Sequence, residues 1–468
     1  MSETGGVHIL VFPYPAQGHM IPLLDFAHHL AIRGLTITIL VTPKNLHQLT
    51  PLLSTHPNSI TPLVLPFPLH PQIPPGVENT VDLPAGGFRT MMCALGQLYD
   101  PILDWFRNHG SPPVAIVSDM FLGWTNNLAR ELDIARYCFS PSGAFGMSVV
   151  HSLWREMPKR KNVDDLVEFT KIPNSPLYPW WQLSPIYRSY VEGDPDLEFI
   201  KDLFRANLAS HGMVFNTFIE LESVYLDHHA RDLGHDRVFS VGPLLPSDEV
   251  GPAERGRTSS VSATEINSWL DKCDDHTVVY VCFGSQAVLN NKQMEELSLG
   301  LEKCEVRFIL AVKGPTKGHA NQGDHGMIPP GFEDRVAGRG LVIQGWAPQV
   351  KILKHKAVAA FLTHCGWNSI LESIMAGVPM LAWPMGADQF SNATLLVDQL
   401  NVAIRVCEGD ETVLGSDDLA RILASTTYER WMEKRVRAME LSKAAADAIK
   451  EGGSSFKNLD DFVGHLSK

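Results

Sequence analysis

The sequence predicts an α/β protein of two parallel-sheet domains that face each other across a cleft. Three observations carry that expectation. One strand–helix–strand opening occurs twice, a polar stretch without apolar period separates the two copies, and runs that read as strands end in polar residues. At 468 residues the chain is long enough for two or three domains.

Each element follows from its pattern. "VHILVFP" (7–13) is a continuous apolar run, as a strand buried on both faces requires. After "YPAQGH", Met20, Leu23, Leu24, Ala27, Leu30 and Ala31 recur at three and four residues and predict a helix ending near Gly34. "LTITILVT" (35–42) completes a βαβ unit. "PVAIVSDMF" (113–121) holds another buried strand, ending at Ser118 and Asp119. The stretch 246–263, "PSDEVGPAERGRTSSVSA", is rich in Pro, Gly, Ser and charge and reads as a linker. "HTVVYVCFG" (276–284) then restarts the pattern. The helical stretch "SQAVLNNKQMEELSLGLEKC" (285–304) and the strand "VRFILAV" (306–312) follow. "KGPTKGHANQGDHGMIPPG" (313–331) is a polar loop. Domains are therefore expected over 1–245 and 264–445, with a terminal segment over 446–468.

Composition excludes several classes. Hydrophobic residues at 44% and charged residues at 19% describe a globular protein with large cores. A net charge of −13, from 52 acidic and 39 basic residues, argues against nucleic acid as a partner. No apolar run approaches the ~18 residues of a membrane span. The start "MSETGGVHILVFPYP" lacks the basic region of a signal peptide. Seven scattered cysteines without a CxxC pair fit reduced thiols in a cytoplasmic protein.

The densest cluster of polar residues follows "AVAAFLT" (357–363). "HCGW" leads into "NSILESIMAG" (368–377), a predicted helix with a capping start and a glycine stop, and "VPMLAWP" (378–384) is the next strand. Ligands of parallel sheets gather at such carboxyl edges. Asn368 and Ser369 stand at a helix N-terminus, where free N–H groups and the dipole favour an anion. Gly366 allows close approach, and His364 adds a donor. A phosphate site is the functional reading; an ordinary helix cap and a structural histidine are the alternatives.

The 44 residues Trp346–Gln389, "WAPQVKILKHKAVAAFLTHCGWNSILESIMAGVPMLAWPMGADQ", resemble the C-terminal signature box of plant secondary-product UDP-glycosyltransferases. The likeness extends from "PAQGHMIPLLDFAHHLA" to the C-terminal helix, and within the family it is nearest the branch containing flavonol glucosyltransferases. It implies the GT-B fold of two facing Rossmann-like domains. The acceptor would belong to the first, the UDP-sugar to the second, and 446–468 would pack back on the first. Carried over residue by residue, Trp346 stacks on uracil and the Ala347 backbone reads its edge. Gln349 and Glu372 hold ribose hydroxyls. His364, Asn368 and Ser369 hold the diphosphate, helped by Ser285. Asp388 and Gln389 bind sugar hydroxyls, and Trp367 borders the hexose.

The resemblance places the catalytic base at His19 and its partner at Asp119. The chemistry is consistent. A positive helix end disfavours imidazolium, and an aspartate on one ring nitrogen orients the other toward an acceptor hydroxyl. The implied reaction is direct displacement of UDP from UDP-glucose with inversion. It needs no metal and no permanently bound cofactor, and is expected of a monomer. The one Asp-x-Asp, Asp194-Pro195-Asp196, reads as a turn. Alternatives are a different sugar such as rhamnose or galactose, C-glycosylation, and a non-catalytic protein that binds nucleotide sugars. No GxGxxG, GxxxxGK[ST] or GxSxG occurs at the strand ends, which sets aside nicotinamide, P-loop and α/β-hydrolase chemistry. Phe121, Trp124, Phe145, Trp180, Trp181 and Tyr187 are candidate walls for a flat phenolic acceptor. Many relatives carry a threonine near Pro141 that touches the sugar; here Ser140 and Ser142 flank that proline.

Overall fold

The computed structural model describes residues 6–83, 87–160, 162, 165–245, 259–313, 326–426 and 428–466. Positions 246–258 of the linker and 314–325 of the polar loop lie outside the described residues. The chain divides into two compact units, Met1–Pro252 with Ala448–Lys468, and Ala253–Asp447.

The first unit is built on a seven-stranded parallel sheet. Its strands are β1 (His8–Phe12), β2 (Thr36–Val41), β3 (Ile60–Val64), β4 (Ala115–Asp119), β5 (Ala135–Ser140), β8 (Gly212–Phe215) and β9 (Val238–Ser240). They lie in the order β3-β2-β1-β4-β5-β8-β9. Between β5 and β8 the chain adds a small antiparallel pair, β6 (Leu166–Glu168) and β7 (Leu177–Pro179). Side chains alternate across β1. Ile9 and Val11 enter a core with Met20, Leu23, Phe26, Ala27 and Leu30 of helix Gln17–Ile32, and Leu10 and Phe12 are buried too. The terminal helix Ser454–Leu466 inserts Leu459, Phe462 and Leu466 into that core, with the Phe26 and Phe462 rings 5.4 Å apart.

The second unit repeats the plan with β10 (Val278–Cys282), β11 (Arg307–Val312), β12 (Gly340–Gln344), β13 (Val358–Thr363), β14 (Met380–Ala382) and β15 (Ala403–Arg405). The order β12-β11-β10-β13-β14-β15 is all parallel. Each sheet therefore reverses its winding once, between β1 and β4 in the first and between β10 and β13 in the second. Crevices for ligands form at such switch points, outside the carboxyl ends of the strands. Among the described residues no helix is long and apolar enough to cross a membrane.

Helix starts differ from the sequence reading, two of them here. The stretch after β10 becomes helical only at Asn291, because Asn290 and Gln293 form a reciprocal capping box that fixes the start there. Ser285–Leu289 thus remain loop at the sheet's carboxyl edge. His19 is not ahead of its helix but its third residue, since Ala16 takes the cap position. The last residues of the expected linker are ordered: Ser262 caps helix Ala263–Leu270 in a second capping box, with Glu265.

One core feature of the first unit predicts a pH response. His151 and His229 are buried with their rings 5.4 Å apart. Burial pushes His229 down to about 4 and His151 well below its ordinary value. Above about pH 6.5 both rings are neutral whether the chain is folded or not. As pH falls from there toward about 4, the unfolded chain takes up protons that the folded chain refuses, so stability declines. His229 alone accounts for a loss on the order of 3 kcal/mol. Urea denaturation between about pH 7.5 and about pH 5 should give a midpoint that falls with pH. A level midpoint would contradict this.

Candidate active site

In the second unit the polar residues after β13 assemble around His364. Its ring lies between two glycine backbones. A Cβ at Gly284 would stand 2.5 Å from the imidazole, and one at Gly366 would stand 2.4 Å from its Nε2. Either contact is far inside van der Waals range, so both positions require glycine. Gly284 also has φ +75°. His364 Nδ1 is buried without a hydrogen-bond partner among the described residues. Burial pushes this histidine down to about 4, so it is a neutral ring at neutral pH. Helix Trp367–Ala376 starts on Gly366 as its cap residue, not on Asn368. Asn368 and Ser369 are its second and third residues, in the first turn. Gly377 stops the helix in the left-handed conformation, as the sequence indicates.

A second cluster joins the neighbouring helix Gln349–Lys354 to this one. Gln349 Nε2 donates to Glu372 Oε2 at 2.6 Å and to Ser369 Oγ at 3.0 Å, and its Oε1 accepts from Tyr280 Oη at 3.3 Å. Tyr280 escapes a sequence reading because it sits in mid-strand, where an aromatic residue looks like ordinary packing. Ala347 is buried with its carbonyl accepting from Gln349 N, and half-buried Trp346 accepts from Ser260 N through its own carbonyl. Ser285 also lies at this edge, with Lys313 Nζ donating to its carbonyl at 2.7 Å. Trp367 is buried at the first helical position.

At the end of the box, Gln389 Oε1 accepts from Met385 N and Gly386 N, at 2.9 and 3.1 Å. The amide oxygen is thereby committed to the turn. Asn392, also missed by sequence, donates through Nδ2 to Asp388 Oδ2 and to the carbonyl of Cys365. It ties the Asp388 turn to the His364 turn. No residue-type signal marks it, since it falls just past the 44-residue match.

In the first unit the switch point brings together residues 100 positions apart. His19 Nδ1 lies 2.8 Å from Asp119 Oδ2. Asp119 is fully buried, and its other oxygen accepts from Phe121 N at 2.8 Å, capping the turn Met120–Leu122. The cap reading and the partner reading of this aspartate therefore both hold, on different oxygens. With Nδ1 donating to the carboxylate, Nε2 keeps its lone pair, the tautomer a base requires. Phe121 packs 4.6 Å from the His19 ring, Tyr14 5.4 Å and Phe88 6.3 Å. Burial, then the charge of Asp119, raises the Tyr14 phenol well above its ordinary value, so it stays protonated. Sequence does not single out Tyr14, which reads as part of the turn after β1, or Phe88, which lies far along the chain from the residues it joins.

The other expected acceptor walls divide. Trp124 packs edge-on against Phe12, and Phe145 is 1% exposed and stacked on Tyr225 at 4.5 Å. Those two side chains are spent on core packing. Trp180 and Tyr187 lie together, with Tyr187 also against Trp154, and Trp181 is exposed. Ser140 Oγ donates to the carbonyl of Ser142 at 2.9 Å, closing its own turn. Asp194 caps helix Pro195–Leu208 by accepting from Asp196 N and Leu197 N, as a turn residue does.

Two Rossmann-like units with polar residues at both switch points make this a GT-B protein. The model of the UDP-glucoronosyl and UDP-glucosyl transferase family matches residues 242–448. UDP-glycosyltransferase 89B2 of Stevia rebaudiana is 59% identical over 99% of this chain and 98% of its own. Flavonol 3-O-glucosyltransferase UGT89B1 of Arabidopsis thaliana is 55% identical over 98% and 96%. The crystal structure of Arabidopsis thaliana UGT89C1 with UDP-L-rhamnose superposes with a TM-score of 0.82 at 40% identity, covering 99% of this chain and all of that one. The chain belongs to this family and is a UDP-dependent glycosyltransferase.

Proposed function

We propose that the enzyme transfers glucose from UDP-glucose to a hydroxyl of a flavonoid, of the flavonol type, with inversion at the anomeric carbon. The observation that carries the catalytic half is the 2.8 Å bond from His19 to a fully buried Asp119 at a switch point. His19 Nε2 takes the proton as the acceptor O–H bond breaks. The freed oxygen pair forms the bond to the anomeric carbon, and the carbon–phosphate oxygen bond breaks with its electrons going to UDP. Asp119 compensates the imidazolium. No side chain is asked to form a covalent intermediate, so one displacement gives one inversion.

The donor half assigns Trp346 and Ala347 to uracil, and Gln349 and Glu372 to the ribose diol. It gives the diphosphate to His364, Asn368, Ser369 and Ser285, and the hexose to Asp388, Gln389 and Trp367. A carboxylate accepts two hydrogen bonds from a diol and helix N–H groups meet an anion, which suits these types. The acceptor half assigns Phe121, with Tyr14 and Phe88, to the ring beside the base. UDP leaves without a metal in this scheme, and the enzyme is expected in the cytoplasm. Support for a flavonoid acceptor is the likeness to a flavonol glucosyltransferase and to UGT89C1, which is also solved with quercetin. A panel of flavonols, simple phenols and benzoates with UDP-glucose tests it: turnover confined to benzoates would overturn the acceptor class.

A second reading, rhamnosyl transfer, is favoured by the UDP-L-rhamnose complex of UGT89C1. Gln389 argues for glucose, because in this family glutamine at the end of the box goes with that sugar. In competition among UDP-glucose, UDP-galactose and UDP-rhamnose, UDP-glucose should show the highest kcat/KM. Preference for either rival would reverse the donor assignment.

A further inference from the structure

Directly behind Asp119 lies a buried cation that the scheme above does not use. Arg136, on β5, is 1% exposed, and among the described residues it is the only lysine or arginine so fully buried. Its guanidinium meets only neutral acceptors. Nε donates to Ser118 Oγ at 3.0 Å, and Nη1 donates to Asn207 Oδ1 at 2.9 Å and Ser210 Oγ at 2.6 Å. Nη2 donates to the backbone carbonyls of Asp119 and Ser118, at 3.3 and 3.5 Å. Burying a full positive charge is costly unless an opposite charge lies near in the same low-dielectric region. No carboxylate bonds to Arg136 among the described residues, and the buried anion beside it is Asp119.

We infer that Arg136 is a positioning residue for the catalytic dyad: its positive charge compensates the buried Asp119 carboxylate that orients His19, and so sets the acid limb of activity. The inference rests on the reading of His19 as base. The titratable groups facing Asp119 are His19 from the first helix, Tyr14 from the loop after β1, and Arg136 and Cys138 from β5. Burial holds the Tyr14 phenol and the Cys138 thiol protonated, the latter pushed up to about 11. Of the charged side chains named, Arg136 alone then opposes the arrival of a proton at the coupled His19–Asp119 pair, alongside the positive end of the first helix. Removing that charge makes either site of the pair easier to protonate. Both routes move the acid limb of activity in one direction, toward higher pH.

The test is kcat/KM against pH, with an acceptor whose own ionisation lies above the range used. Arg136→Gln should raise the acid limb by about one pH unit, and Arg136→Lys, which keeps the charge, should leave it near wild type. Asn207→Asp puts a carboxylate on the guanidinium with the arginine in place and should raise the limb as well. It carries the prediction if Arg136→Gln does not fold. A folded Arg136→Gln or Asn207→Asp enzyme with the wild-type limb would make Arg136 purely structural and overturn the inference. Full activity of His19→Ala would instead remove the reading beneath it, so the two failures are distinguishable.

Discussion

His19→Ala should lower kcat by roughly 10²–10⁴, the usual worth of a general base, while UDP binds nearly as before. The expectation follows from the atoms. Nε2 is the one ring nitrogen left with a lone pair once Nδ1 bonds Asp119, and Tyr14 beside it stays protonated. Of the described rings packed against it, Tyr14, Phe88 and Phe121, none can take the acceptor's proton. Asp119→Ala should cost less, because the base remains and loses only its orientation and charge compensation. The His19→Ala loss should also shrink with acidic phenols, whose oxygen is already partly ionised near neutral pH. A series of phenols of graded acidity, run against both variants, measures all three effects. An active His19→Ala enzyme indifferent to acceptor acidity would remove this histidine from the chemistry.

His364→Ala should weaken kcat/KM by one to two decades, the equivalent of roughly 1.5–3 kcal/mol for a buried hydrogen bond to a charged group. The ring is neutral and clamped between Gly284 and Gly366, so it offers a pre-aimed donor with no mobile side chain to order. Truncation leaves a void where the imidazole stood and no donor of its own. Thermal unfolding checks that the fold survives. Wild-type kinetics in the folded variant would make this histidine a spacer between two glycines.

Much of this architecture is legible in the amino-acid chain alone. Continuous apolar runs mark the parallel strands, and the polar residues that end them mark both candidate sites, because a buried strand has no packing reason to finish in His, Asp or Ser. The box from Trp346 to Gln389 can be read residue by residue because its parts are close in sequence and its spacing is distinctive. What stays hidden depends on contacts between distant segments. Nothing in the sequence marks Arg136 as buried, because Asn207 and Ser210, which satisfy it, lie 71 and 74 positions on. Tyr280 and Asn392 are ordinary types in a strand and a helix. Phe145 reads as an acceptor wall because it follows a strand end, but Tyr225, 80 residues on, covers its face. Helix starts are displaced for a local reason: the caps are Ala16, Asn290 and Gly366, and only the asparagine carries a side-chain signal.

The most direct test is the anomeric configuration of the product. Purified enzyme, UDP-glucose and a flavonol are incubated together, and the new glycoside is examined by proton NMR as it forms. The account predicts a β-O-glucoside from the first turnover, with UDP released in equal amount and the signal lost in His19→Ala. An α-glucoside, or UDP released without any glycoside, would contradict it.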